Sequence, residues 1–324
     1  MTDPLPGVVV VAAETDLTAD LVVSRLGGHA AVVRLDPGRM REQLAVTGAF
    51  AAGRWRGTLR HLGRAVTLDQ GCSVYWRKPT RPENHADRDE RWRAHENTTA
   101  LLGLLKAHPL RAWVNDPTVV ATARHRATQL AAAARVGLTV PDTLFTSDPA
   151  TARAFVADHH DRVVVKTLTQ RHTSFVPTTR LRLADDLAGI AGTVHYLQAL
   201  VADRWFDARV TVVDHRAFAA AITTHDELDW RAAPDTQRRI EPVDLPADVE
   251  RACVAHVRDL ELSYAALDFV VTTDGWTYLE TNCAGEYGFV EALTGLPITD
   301  AITRLLLHGP VRSGGTAPSE SARM

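Results

Sequence analysis

Residues 8–13 (VVVVAA) form an unbroken apolar run closed by Glu14. A strand with one wet face alternates apolar and polar residues. A continuous run instead reads as a strand covered on both faces, the signature of helices packed against a mostly parallel sheet. The next segments keep that pattern. Residues 16–26 have helical periodicity and stop at Gly27-Gly28, where left-handed geometry is cheap. Residues 31–35 make a second strand, closed by Asp36-Pro37-Gly38. Residues 54–68 resemble a hairpin, 72–78 (CSVYWRK) another strand, 83–108 a charged and then Leu-rich helix, and 111–115 a short last strand. An open α/β domain over residues 1–115 is the expectation.

The 324 residues exceed one average domain. Asn115-Asp116-Pro117 predicts a helix start, with the helix running to Val136 and ending at Gly137. A strand at 144–146 follows, then a helix capped by Ser147-Asp148-Pro149, then the strand VVVKTL at 163–168. The Thr-rich stretch 169–183 suggests a hairpin. Strands are expected at 198–201, 208–213 and 216–222, and a polar loop at 223–243. A helix at 246–260, a hairpin at 266–282 and a final helix at 298–308 complete the chain. Residues 313–324 have the composition of a disordered tail.

Composition removes several classes of function. Acidic residues outnumber basic ones 39 to 36, a net charge of −3 that predicts no grip on nucleic acid. Cys72, Cys253 and Cys283 are isolated, which argues against a disulfide framework and a structural zinc site. The N-terminus lacks a basic region and a long apolar run, so a soluble cytoplasmic protein with no membrane partner is expected. Walker-type, Rossmann, zincin and nucleophile-elbow motifs are absent. Only Lys78, Lys106 and Lys166 are lysines, against 33 arginines, so each lysine draws attention.

The strongest chemical signal is LDFVVTTDGWTYLETN at 267–282. Glu280 and Asn282 lie two apart and share one strand face. A two-residue Asp274-Gly275 turn would set Asp268 opposite Thr281, facing away from them. A three-residue loop ending with Gly275 in αL and a bulge would set Asp268 opposite Glu280. The second register clusters three hard-oxygen donors and suits Mg2+ bridging polyphosphate oxygens.

This hairpin, with the Gly-rich turn and T-G-L-P-I after it, closely resembles the C-terminal end of ATP-grasp ligases. The chain resembles most the graspetide synthetases, ATP-grasp maturases of ribosomal peptides of the microviridin type. The resemblance runs through R-K-P at 77–79, N-D-P at 115–117, G-L-x-V-P-x-T at 137–143, D-A-R-V at 207–210 and D-W-R at 229–231. It implies an ATP-grasp α/β fold. Residues 1–115 would be a pre-ATP-grasp domain, and 116–190 and 191–312 the central and C-terminal ATP-grasp subdomains. It places an ATP phosphate lysine at Lys166, and Arg126 where the family has a second lysine, keeping charge but not shape. Gln198, Ala199, Leu200 and Val201 match the hinge that holds adenine. Arg209 would face the γ-phosphate and Arg231 would steady an acyl phosphate. Asp268, Glu280 and Asn282 would hold Mg2+. Arg77 and Lys78 would help shape the side facing the acceptor, and residues 169–183 would lie where the family holds the leader.

The implied activity uses ATP to phosphorylate Asp or Glu side chains of a ribosomally made precursor peptide, leader plus core. Ser, Thr or Lys side chains then displace phosphate to close ω-ester or ω-amide rings. No protein nucleophile is required. A ligase joining an amino acid to a small molecule or protein tail, and a non-catalytic peptide-binding module, are the alternatives. A homodimer is left open.

Overall fold

The computed structural model describes residues 5–40, 44–169, 176–224 and 228–311. The 313–324 tail and part of the 169–183 hairpin expectation fall outside them. The chain divides into two compact units: residues 1–114 with 213–215 and 299–324, and residues 115–212 with 216–298.

In the first unit, β1 (Gly7–Val11) is the buried run read above, followed by α1 (Leu17–Leu26) and β2 (Ala31–Leu35). Asp16 caps α1 by accepting from the Ala19 N–H. A meander follows: β3 (Leu44–Ala51), β4 (Arg54–His61) and β5 (Arg64–Leu68). Then come β6 (Cys72–Trp76), α2 (Arg88–Lys106) and β7 (Ala112–Val114). The main sheet is parallel in the order β2-β1-β6-β7, with Val9 opposite both Val33 and Val74. The meander forms a separate antiparallel sheet, β3-β4-β5. Its inward Leu59, Val66 and Leu68 join Val9, Val33, Val74, Leu101 and Leu105 in one core. β3 was not expected: Ala-Val-Thr-Gly-Ala-Phe-Ala has little β-branching, and pairing with β4 makes it a strand.

The second unit opens with α3 (Pro117–Ala123) and α4 (Arg126–Arg135), where one helix was expected. His125 is extended between them, and buried Gln129 donates from Nε2 to the carbonyl of Ala123, closing the first helix. β8 (Thr143–Thr146), α5 (Pro149–Asp158), β9 (Val163–Lys166), β10 (Thr179–Leu181) and β11 (His195–Ala199) follow. They give a four-stranded sheet in the order β10-β9-β11-β8. β12 (Phe206–Val213), β13 (Arg216–Thr223), β14 (Arg239–Pro242), α6 (Ala247–Asp259), β15 (Tyr264–Thr272), β16 (Gly275–Asn282) and α7 (Gly288–Thr294) complete this unit. Its second sheet runs β14-β13-β12-β15-β16 and packs Val210, Val212, Leu267, Phe269 and Tyr278 against Ala132, Ala133, Cys253 and Val257 of the helices. β14 lies inside the stretch read as a polar loop. The last helix, Ile298–His308, spans the expected residues and from Thr299 onward belongs to the first unit.

Candidate active site

The hairpin β15–β16 sets the site. Thr272 pairs with Gly275, so the turn is the two residues Thr273-Asp274, neither of the two loops weighed from the sequence. Strict alternation would then place Asp268 opposite Leu279. Instead the register slips by one between Phe269 and Asp268: Phe269 pairs with Tyr278, and Asp268 pairs with Glu280. A β-bulge around Leu279 therefore supplies the extra residue that the sequence reading assigned to the turn. Gly275 does have positive φ, +121°, but register is set four residues beyond it.

The bulge brings Asp268, Glu280 and Asn282 together. The Asn282 amide nitrogen donates to Asp268 Oδ2 at 3.0 Å and Glu280 Oε1 at 3.3 Å. One Arg231 nitrogen, Nη2, bridges the same two oxygens at 2.5 and 3.0 Å. A neutral amide donor and a guanidinium thus both find these carboxylate oxygens aimed at a common point, which is the demand a divalent cation makes. Among the described residues no group of three or more His, Cys, Asp or Glu side chains could hold a metal. The donor set here is two carboxylates and a carboxamide, and it fits Mg2+ whose other oxygens come from phosphate and water.

Arginine surrounds the carboxylates. Arg209 is buried and grips Asp268 through Nε and Nη2 at 3.0 and 3.2 Å, beneath the rings of Trp230 and Phe289 at 5.0 and 5.7 Å. Burial pushes the Asp268 carboxyl up, but Arg209 and Arg231 outweigh it and hold it well below the usual carboxylate range. For Arg231 burial works against charge, and Asp268, Glu280 and Asp229 reverse that, keeping it cationic. Arg126, at the first position of α4, reaches Glu280 Oε2 at 2.6 Å. The helix break at His125 is what turns it there.

Lys166 ends β9 and donates to Gln198 Oε1 at 2.7 Å, and Gln198 donates in turn to Thr143. Burial lowers the Lys166 pKa, while Glu280 and Asp229 oppose the shift. The expected strand at 198–201 is shorter at this end. β11 stops at Ala199, and the Ala199 and Leu200 N–H groups donate to Asp142 and Arg162 carbonyls. Among the described residues the Val201 N–H has no backbone acceptor.

Behind β16 lies a network that the sequence reading missed. Gln129 accepts from the Thr281 N–H and donates to the Thr281 carbonyl, between Glu280 and Asn282. The Thr281 hydroxyl meets Tyr278 at 2.7 Å and His256 Nε2 at 2.8 Å. Gln129 is fully buried in the Ala-rich helix QLAAAAR, and no pattern in the sequence separates it from a helix-surface glutamine. In the first unit, Arg77 is 5% exposed and its Nε lies 2.9 Å from both oxygens of Asp16. That guanidinium anchors the start of α1.

No protein-family model and no curated protein matches the chain. Solved structures do. A RiPP-associated ATP-grasp ligase of Chryseobacterium gregarium, solved with ADP and a leader and core peptide, aligns with TM-score 0.81 at 21% identity. The alignment covers 95% of this chain and 98% of that one. The macrocyclase MdnC of Microcystis aeruginosa MRC, bound to precursor peptide MdnA, aligns with TM-score 0.77 at 23% identity over 93% and 99%. The ATP-grasp ligase PsnB, complexed with a phosphomimetic variant of a minimal precursor, Mg and ADP, aligns with TM-score 0.72 at 25% identity over 93% and 97%. The chain has the ATP-grasp fold.

Proposed function

We propose that this ATP-grasp chain is an ATP-dependent maturase of a ribosomal precursor peptide, acting in the cytoplasm. It would activate Asp or Glu side chains as acyl phosphates and close ester or amide rings with Ser, Thr or Lys. Residues 1–115 would serve as the pre-ATP-grasp domain and residues 116–190 and 191–312 as the two ATP-grasp subdomains. The observation that carries the reading is the convergence of Asp268, Glu280 and Asn282 under Arg209 and Arg231. Neighbours solved with ADP and with precursor peptides support the same substrates.

In this reading Asp268, Glu280 and Asn282 hold Mg2+, which when bound screens the phosphates and orients them for transfer. Lys166 and Arg126 neutralise phosphate oxygens, and residues 198–201 receive adenine. Arg209 and Arg231 face the transferred group, where negative charge spreads in the transition state. The attacking and displacing groups both belong to the peptide, so the protein's task is to bind, orient and exclude water. The test is trapping. Hydroxylamine added with ATP, Mg2+ and peptide should convert activated side chains to hydroxamates at Asp or Glu. Hydroxamate that forms equally without ATP would reject the acyl phosphate.

A further inference from the structure

The first unit carries a surface that the ATP site does not use. β3 is an edge strand of the β3-β4-β5 sheet, paired with β4 over eight uninterrupted positions from Leu44↔His61 to Ala51↔Arg54. Native sheets guard such edges with charge, proline, a bulge or a covering element. The β3 sequence LAVTGAFA has neither charge nor proline, its pairing has no bulge, and residues 47–56 are all exposed. The strand beside it is arginine-rich. Arg60, Arg56 and Arg54 of β4 stand opposite Ala45, Ala49 and Ala51 on the outward face. Residues 44–68 contain no Asp or Glu. Among the described residues the Arg54, Arg56 and Arg60 side chains have no hydrogen bond or ion pair, while their backbones pair in the ladder.

We propose that the β3 edge is a docking strand for an extended acidic segment of another polypeptide, held by the arginine row of β4. An added strand would lie about 4.8 Å beyond β3, and so roughly 10 Å from β4. The side chains between are alanines, which leave the long guanidinium arms free to lean across. Alternate residues of an extended partner repeat at about 6.8 Å, the same interval that separates Arg54 from Arg56. Acidic side chains at alternate positions therefore match the row, and main-chain hydrogen bonds supply the sequence-independent part of the grip. On the opposite face, the exposed Phe50 and Trp55 rings pair at 5.4 Å and offer apolar cover to the partner's intervening residues. A nucleic acid could satisfy the arginines but not a ladder of alternating N–H and C=O groups. A second copy's β3 could complete the ladder but brings no acid to the arginines.

The test uses the full-length protein and a fluorescein-labelled peptide of alternating Glu and Thr, read by fluorescence anisotropy. Binding should weaken by at least about tenfold when Lys replaces Glu in the peptide. A loss of the same size is expected when alternate amides along one peptide edge are N-methylated, and in the protein variant Arg54→Glu/Arg56→Glu/Arg60→Glu. That variant should keep the wild-type thermal midpoint and ATP affinity, because its changes are exposed and lie outside the nucleotide unit. If the variant does not fold, the Lys and N-methyl peptides decide alone. The proposal is overturned by absence of binding, by indifference to N-methylation, or by equal affinity for a single-stranded oligonucleotide of the same length. Sedimentation showing a β3-mediated dimer that excludes the peptide would also overturn it.

Discussion

Burial and charge pull Lys166 in opposite directions, and the site needs both. Burial lowers its pKa, yet Glu280 and Asp229 keep charge within reach, and Gln198 holds the ammonium in place. Lys166→Ala should weaken ATP binding by about 1.5–3 kcal/mol, the worth of a charge-assisted hydrogen bond, and calorimetric titration would show it. Affinity equal to wild type would remove Lys166 from the phosphate site. His256 carries a different signature. Burial pushes its pKa down to about 4 from 6.5. The unfolded chain therefore binds this proton before the folded one does. Stability should fall as pH drops from about 6.5 towards 4, and a pH series of chemical denaturation should show a shallower fall in His256→Gln. Lys166 was visible in the sequence because lysine is rare in this chain and this one interrupts a β-branched run. Gln129 and His256 were not, because polar residues in helices normally face water. Only the fold shows that Thr281 and its backbone lie beside them.

At the scale of elements, the periodic runs were the legible part. The buried β1, the strand around Lys166, the β15–β16 hairpin and the last helix stand close to where patterning put them. Features produced by tertiary pairing were not legible. β3 and β14 are strands because neighbours pair with them, and the helix expected from residue 116 breaks at His125 because Gln129 closes its first half. The β15–β16 bulge is the instructive case. The sequence required one extra residue for Asp268 to face Glu280, but Gly275 drew attention to the turn, whereas the slip lies at Leu279. Gly275→Val should therefore cost about 1 kcal/mol or more, because a β-branched residue resists positive φ, yet leave Mg-ATP affinity unchanged. Thermal unfolding and nucleotide titration on the same variant separate the two effects. Lost nucleotide affinity in a folded Gly275→Val protein would return control of the register to the turn.

For the whole molecule, two compact units share one chain, and every residue assigned here to ATP and Mg2+ belongs to the second. Its sheets supply Lys166 and Gln198 from one side and Asp268, Glu280 and Asn282 from the other. The fold class was legible because alternating strands and helices dictate layered α/β packing. The chemistry was legible because carboxylates set among Val270, Tyr278 and Leu279 need partners. The arginine cage was only half legible, since nothing in the sequence shows that Arg209 and Arg231 meet at one carboxylate. The central claim is that this cage and its carboxylates drive ring closure on a peptide. The most direct measurement is the mass of an acid-, Ser- and Thr-rich peptide after incubation with the protein, ATP and Mg2+. Loss of one water per ring is expected, dependent on ATP and abolished in Asp268→Asn and Glu280→Gln proteins that remain folded. Unchanged peptide mass while ATP is consumed, or water loss that survives both substitutions, would contradict it.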